Sequence, residues 1–322
     1  MKKKNSAIIM LLLLAPIVGE LLSGSTPPVE FINPIGLLFL VALCGCGALF
    51  IRELVHRWHK GWLSVILLGM AYGIFEEGIV VRSFFDPAWP DLGILAEYGR
   101  WMGVNWVWIA VLIIFHALVS ITIPILLVEL VFPSVRDESW LGRKGFWAVG
   151  LIFLSTLLIA PLFGLYLTLW GIIACLLAIA GLVFMASCSQ GPQSEKWINR
   201  EPASLTRISA ASFLMMMTFL FVYIGLPELG VPVAITIMAL ILIPIFTAGL
   251  AYRIGVFSWG DTHKWAAVLG AMIPWILLTF IAEMDNVNRL DDTIGMSLVG
   301  IGFLVFLIVL GVFTKRRSKQ GI

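Results

Sequence analysis

The chain has 322 residues, of which 60% are hydrophobic and 12% charged, with a formal net charge of +2 and a mean hydropathy of +1.02. So little polar surface excludes a soluble protein of this length and places the chain in a membrane. With no GxxxxGK[ST] phosphate loop, and no stretch between the apolar runs long enough for a soluble domain, an ATPase or kinase module is excluded as well.

A helix rising about 1.5 Å per residue needs roughly 20 apolar residues to cross the hydrocarbon. Ten such helices are predicted in chain order, over 6–23, 35–52, 62–84, 106–132, 146–163, 168–187, 208–226, 231–252, 265–282 and 295–314. The apolar run from Phe146 to Ser189 is too long for one crossing and is split at Pro161 and Gly164. The expected fold class is therefore all-α, a polytopic transmembrane bundle forming a single integral membrane domain over 1–322. Within it, 6–132 carries the candidate polar site and 146–314 serves as scaffold. Lys2 to Lys4, the apolar run from Ile8 to Val18 and the small residues Ser23, Gly24 and Ser25 also resemble a signal peptide. Glu20 and the lack of an Ala-x-Ala site favour a retained first helix.

Placing the basic residues orients this topology. With the amino terminus inside, all but three of the 21 Lys and Arg fall on the cytoplasmic side, the exceptions being Arg82, Arg100 and Arg289. Lys196 and Arg200 are among those counted inside. Acids lean outward, with Glu30, Asp86, Asp91, Glu97, Glu228, Glu283, Asp285, Asp291 and Asp292 on the outer face. The expected location is the cell membrane with both termini cytoplasmic. The lipid bilayer is the expected partner, an ion or small molecule the expected substrate, and nucleic acid is not expected. The basic residues sit at helix ends, where anionic headgroups attract them.

Cys44 and Cys46 in the second helix, Cys175 in the sixth and Cys188 at its end imply no disulfide framework. Cys44 and Cys46, with Ala42, Gly45, Gly47 and Ala48, read as a small-residue packing surface. Gly69 and Gly73 in the third helix are expected to supply its match.

An ionisable group in hydrocarbon is costly enough to mark a functional candidate. Helices five to ten have none in their interiors. Glu76 and Glu77 in the third helix and His116 in the fourth are the deep candidates, with Glu20 and Glu129 nearer the ends of the first and fourth. Counting from Trp62, Glu76 lies roughly 21 Å into the layer, and counting down from Trp106, His116 lies about 15 Å, so the two share a level. Adjacent glutamates differ by about 100° around a helix. One is therefore expected to face His116 and the other the first or second helix, or Arg82. Three readings follow: a neutral polar knot that fixes packing, a proton or cation site on a transport path, or a metal site in which two Glu and a His bind a divalent ion and activate water.

The segment FEEGIVVR, residues 75–82, with a histidine in the next helix, resembles the motifs of the CAAX-protease and bacteriocin-processing (CPBP) intramembrane protease family. The resemblance implies that Glu76, Glu77 and His116 form part of a catalytic centre that uses a divalent metal such as zinc. This sequence departs from the pattern at Val81, where the arginine is expected one place before Arg82, and at Leu112, where a phenylalanine is expected. No second histidine lies inside a later helix. A longer stretch, EEGIVVRSFFDPAWPDLG, EYGRW and GVNWVW, is similar to an uncharacterised group of prokaryotic multi-spanning membrane proteins and implies no activity. The function carried forward is a proton- or cation-linked, permease-like transporter with its site at Glu76, Glu77, His116 and Arg82. A CPBP-like metal-dependent protease and a non-catalytic scaffold are the alternatives, and whether the chain is an enzyme stays open.

Between Phe84 and Asn105, Trp89, Tyr98 and Trp101, followed by Trp106 and Trp108, read as an interfacial aromatic belt or lid, with a short helix expected over Leu92 to Trp101. Asp86, Asp91 and Glu97 make an acidic mouth that favours cations. Glu53, His56 and His59 fall at intervals of three among Arg52, Arg57 and Lys60, and read as an ordinary basic helix end rather than a metal site. Pro124, Pro161, Pro244 and Pro274 are expected to kink their helices.

Overall fold

A computed structural model describes residues 2–163, 168–191, 201–286 and 291–320. Gly164, Lys196, Arg200 and Arg289 lie outside the described residues. Among those described, ten helices are long and apolar enough to cross a membrane. They are α1 Lys2–Leu21, α2 Pro34–Arg57, α3 Trp62–Val80, α4 Trp106–Val131, α5 Arg143–Phe163, α6 Leu169–Cys188, α7 Leu205–Glu228, α8 Val233–Arg253, α9 Asp261–Met284 and α10 Met296–Gln320. Local chemistry sets several starts. Asn33 accepts from the amides of Ile35 and Gly36 ahead of α2, Asn105 from Trp108 ahead of α4, and Thr168 from Gly171 ahead of α6. The fold is thus an all-helical polytopic bundle.

The chain forms two compact units, Met1–Gly19 with Asn33–Pro192, and Glu20–Ile32 with Gln193–Ile322. In the first, α3 packs on α4 and α6, α1 on α2 and α4, and α2 on α5. This unit groups α5 and α6 with the helices that carry Glu76, Glu77 and His116. In the second, α9 packs between α7 and α10. Missing Cβ atoms permit those approaches: Gly270 abuts the Ser209 backbone, Gly300 the Thr279 side chain and Gly311 the Trp265 ring. Trp265 Nε1 donates to Leu307 O at 2.8 Å.

Shelter is unequal. In their most apolar stretches α3 and α4 are 72% buried, whereas α6 and α8 are 11% buried. A polar group is therefore screened from lipid on α3 and α4 and would be exposed on most faces of α6 or α8. The GxxxG surface of α3 serves α4, not the small-residue face of α2. A Cβ on Gly69 would lie 2.8 Å from Ala117 Cα, and one on Gly73 would lie 3.0 Å from His116 Cβ. On α2, Gly45 abuts the Leu12 backbone and Gly47 the rings of Tyr72 and Phe153.

The segment between α3 and α4 is more folded than expected. A 3-10 turn over Pro90–Ala96, broken at Gly93 (φ 50°), replaces the expected helix. A two-stranded antiparallel ribbon follows, β1 Arg100–Trp101 with β2 Val104–Asn105. Leu92 and Leu95 are buried, and the Asn105 side-chain amide donates to Leu95 O. Positive-φ glycines at 93, 99 and 103 favour turns over the short helix expected from Leu92 to Trp101.

Candidate functional site

Each of the first four spans contains a π-helical turn: Ile17–Leu21 in α1, Val41–Gly45 in α2, Phe75–Val80 in α3 and His116–Thr122 in α4. Such turns insert a residue into the helical ladder and recur where side chains must be re-aimed. Glu20, Cys44, Glu76, Glu77 and His116 all lie within them.

Glu76, Glu77 and His116 meet inside the first unit. Glu76 Oε2 lies 3.2 Å from His116 Nδ1, and Glu77 Oε1 lies 2.9 Å from His116 Nε2. Both carboxylates reach the ring, which corrects the expectation that only one would. Two adjacent residues cannot point the same way on a helix, but an imidazole presents nitrogens on two edges, and each edge takes one acid. The three residues are 4%, 9% and 1% exposed, so these contacts form away from solvent and lipid. Gly73 makes this possible, since a side chain there would press on His116.

The remaining polar atoms divide into satisfied and unsatisfied sets. Trp108 Nε1 donates to Ser83 Oγ at 3.0 Å, and Ser83 Oγ donates to Glu77 Oε2. Because an indole nitrogen only donates, the Ser83 proton is committed to Glu77. Glu77 thus accepts at both oxygens, from Ser83 and from His116 Nε2. Glu76 Oε1 faces the Cys44 thiol, 3.9 Å from Sγ, at the long end of a sulfur hydrogen bond. Four buried side-chain atoms among the described residues have no well-formed hydrogen bond: Glu76 Oε2, His116 Nδ1, Tyr72 Oη and Ser120 Oγ. Tyr72 stands edge-on to the His116 ring, with centroids 5.7 Å apart. A proton on Nδ1 would have no in-line acceptor, whereas one on Nε2 points at Glu77. The hydrogen-bond network therefore assigns the Nε2–H tautomer.

Arg82 has a different setting. It takes a left-handed φ of 66° where the chain leaves α3, is half-buried, and places Nε 3.5 Å from Ile79 O. Tyr72, Ser83, Trp108 and Ser120 were not read as site residues. Tyr72 precedes Glu76 by four and Ser120 follows His116 by four, so helical spacing carried that signal. Trp108 had been placed in the aromatic belt but is 4% exposed and bonded inward, while Trp101 and Trp106 are exposed.

A second polar cluster lies at the end of α2, and it is not the ordinary basic helix end that the sequence suggested. Arg52 is 2% exposed and Glu53 is fully buried. Glu53 accepts from Arg52 Nη1 at 2.8 Å, from Ser139 Oγ and from the amides of Trp140 and Leu141. Arg52 also reaches Glu129 at 3.4 Å, donates to the carbonyls of Arg136 and Glu138, and stacks 3.8 Å from the Trp140 ring centroid. His56 Nε2 bonds Arg136 O at 3.0 Å. These contacts clamp the 133–142 connection to α2. Lys4 pairs with Glu138 at 2.8 Å at the same end of the unit, and Lys4 holds that exposed carboxyl below the usual carboxylate range.

Comparison with curated proteins and with solved structures finds no match. A model of an uncharacterized membrane protein family matches residues 9–318, nearly the whole length, and the chain belongs to that family.

Proposed function

We propose that the protein is a proton- or cation-linked, permease-like transporter of the cell membrane, with both termini cytoplasmic and its coupling site at Glu76, Glu77 and His116. The observation that carries this reading is the pair of buried carboxylates flanking both ring nitrogens of one histidine while Glu76 Oε2 and His116 Nδ1 lack well-formed hydrogen bonds. A knot built only to fix packing would be expected to satisfy its own polar atoms, because an unmet buried acceptor costs about 1–3 kcal/mol. Vacant acceptors in a sheltered interior instead suit a transient positive guest. The orientation rests on the distribution of Lys and Arg. Its expected cytoplasmic face gathers Lys3, Lys4, Arg57 and the 133–142 connection at one end of the first unit.

The test is flux into vesicles containing the purified protein, read by an entrapped pH-sensitive dye and an entrapped divalent-metal dye. Glu76→Gln and Glu77→Gln should each abolish the signal. Equal flux in the parent and both variants refutes the reading. One ligand atom from each of the three residues lies within 4.8 Å of the others, which also supports metal-dependent hydrolysis within the membrane as a second reading. Chelator-sensitive cleavage of a labelled membrane peptide would favour it, and absence of cleavage with metal present would remove it.

A further inference from the structure

The polar site offers two bare acceptors 3.2 Å apart, the imidazole Nδ1 of His116 and Oε2 of Glu76. Two electron-rich atoms held this close in a dry interior, with no well-formed hydrogen bond between them, repel unless something positive, a proton or a metal cation, lies between them. Their spacing limits what that is. Ligands about 2.0–2.1 Å from a tetrahedral zinc ion lie roughly 3.3–3.5 Å from each other. The 3.2 Å separation in the structure falls just short of that range, close enough for both atoms to turn to one small ion.

The rest of the cluster fits the same assignment. A histidine that binds a metal through one nitrogen almost always donates its other N–H to a carboxylate, which fixes the tautomer and makes the free nitrogen a better ligand. Glu77 supplies that carboxylate at 2.9 Å from Nε2, and it is itself oriented by Ser83, which Trp108 holds in place. Cys44 faces the other oxygen of Glu76, leaving Oε2 as the atom turned to the guest. An imidazole with a carboxylate suits zinc and its first-row neighbours. Magnesium and calcium ask for six or more oxygens.

We infer that the site takes a divalent transition metal of the zinc class, with His116 Nδ1 and Glu76 Oε2 as ligands and Glu77 as the residue that positions the histidine. The remaining coordination positions are open to water or substrate, beside the buried hydroxyls of Tyr72 and Ser120. This deepens the transport reading by naming the cation class of that site.

The test is equilibrium binding of zinc and of cobalt(II) to the purified full-length chain in detergent, with competition by magnesium and calcium. Folding of every variant is checked by gel filtration and thermal unfolding. The parent should hold one zinc per chain, and cobalt should give the visible absorption of a low-coordinate site. Glu76→Gln and His116→Gln should lose that signal, Glu77→Gln should keep the stoichiometry with affinity lowered 10- to 100-fold, and Tyr72→Phe should retain it. Magnesium or calcium in large excess should not displace the metal. Three results overturn the inference: no stoichiometric zinc on the folded parent, unchanged binding in both ligand variants, or displacement by calcium or magnesium. If zinc is absent but proton flux still requires Glu76, the metal assignment fails and the transport reading stands. If zinc binds as described but no flux is seen, the reverse holds.

Discussion

Removing the Glu53 carboxylate should be among the most destabilising single changes in the first unit. Glu53→Ala strands the guanidinium of Arg52, which is 2% exposed and would be left with Glu129 at 3.4 Å and backbone carbonyls. It also takes the acceptor from Ser139 Oγ and from the amides of Trp140 and Leu141. Breaking a buried ion pair from one side costs about 3–5 kcal/mol, because the surviving charge stays buried without its closest partner. For a unit of this size each kcal/mol moves the midpoint by roughly 2–4 °C, so a fall of roughly 6–20 °C is expected in thermal unfolding of the purified protein at a fixed scan rate. Replacing both partners, as Arg52→Met with Glu53→Leu, removes the stranded charge. The double variant should therefore lose clearly less than the two single changes added together. A fall of less than about 2 °C for Glu53→Ala, or additive losses in the double variant, would refute the clamp.

Two further outcomes follow from particular contacts. Gly69→Val places bulk against the Ala117 backbone, so α3 and α4 must part; stability should drop by about 1–3 kcal/mol and zinc affinity should fall with it, whereas Gly270→Val, which crowds Ser209 in the second unit, should cost stability without changing zinc affinity. Glu138 has its folded pKa lowered by Lys4, so the contribution of this pair is present above the unfolded carboxylate value and fades as pH falls through the folded one; a midpoint difference between the parent and Glu138→Gln near neutrality should disappear in acid, once pH is below the folded value, and shrink in high salt.

Element boundaries were legible because hydropathy and length are one-dimensional signals. The predicted helix at 106–132 appears as Trp106–Val131, and the predicted break near Pro161 falls at the end of α5, which reaches Phe163. The shared level of Glu76 and His116 followed from counting rise per residue. Three features were not legible, each for a physical reason. The π turns have no signature in an apolar periodicity, yet they set which way Glu76, Glu77 and His116 point. Trp108 looked like the other interfacial tryptophans, because its inward bond to Ser83 depends on how the chain doubles back after α3. Arg52 and Glu53 looked like a solvated helix end, because the residues that bury them come from a connection nearly ninety positions later, as with Glu53 and Trp140, 87 positions apart.

The central claim is that Glu77 fixes the tautomer of His116 and leaves Nδ1 bare toward Glu76. Nitrogen-15 NMR of histidine-labelled protein, with His56, His59 and His263 replaced by Gln so that His116 alone reports, measures this directly. The account predicts a single Nε2-protonated tautomer with an unprotonated Nδ1 whose resonance moves on adding zinc, and loss of that fixed state in Glu77→Gln. A mixture of rapidly exchanging tautomers, or a proton resident on Nδ1, would contradict it.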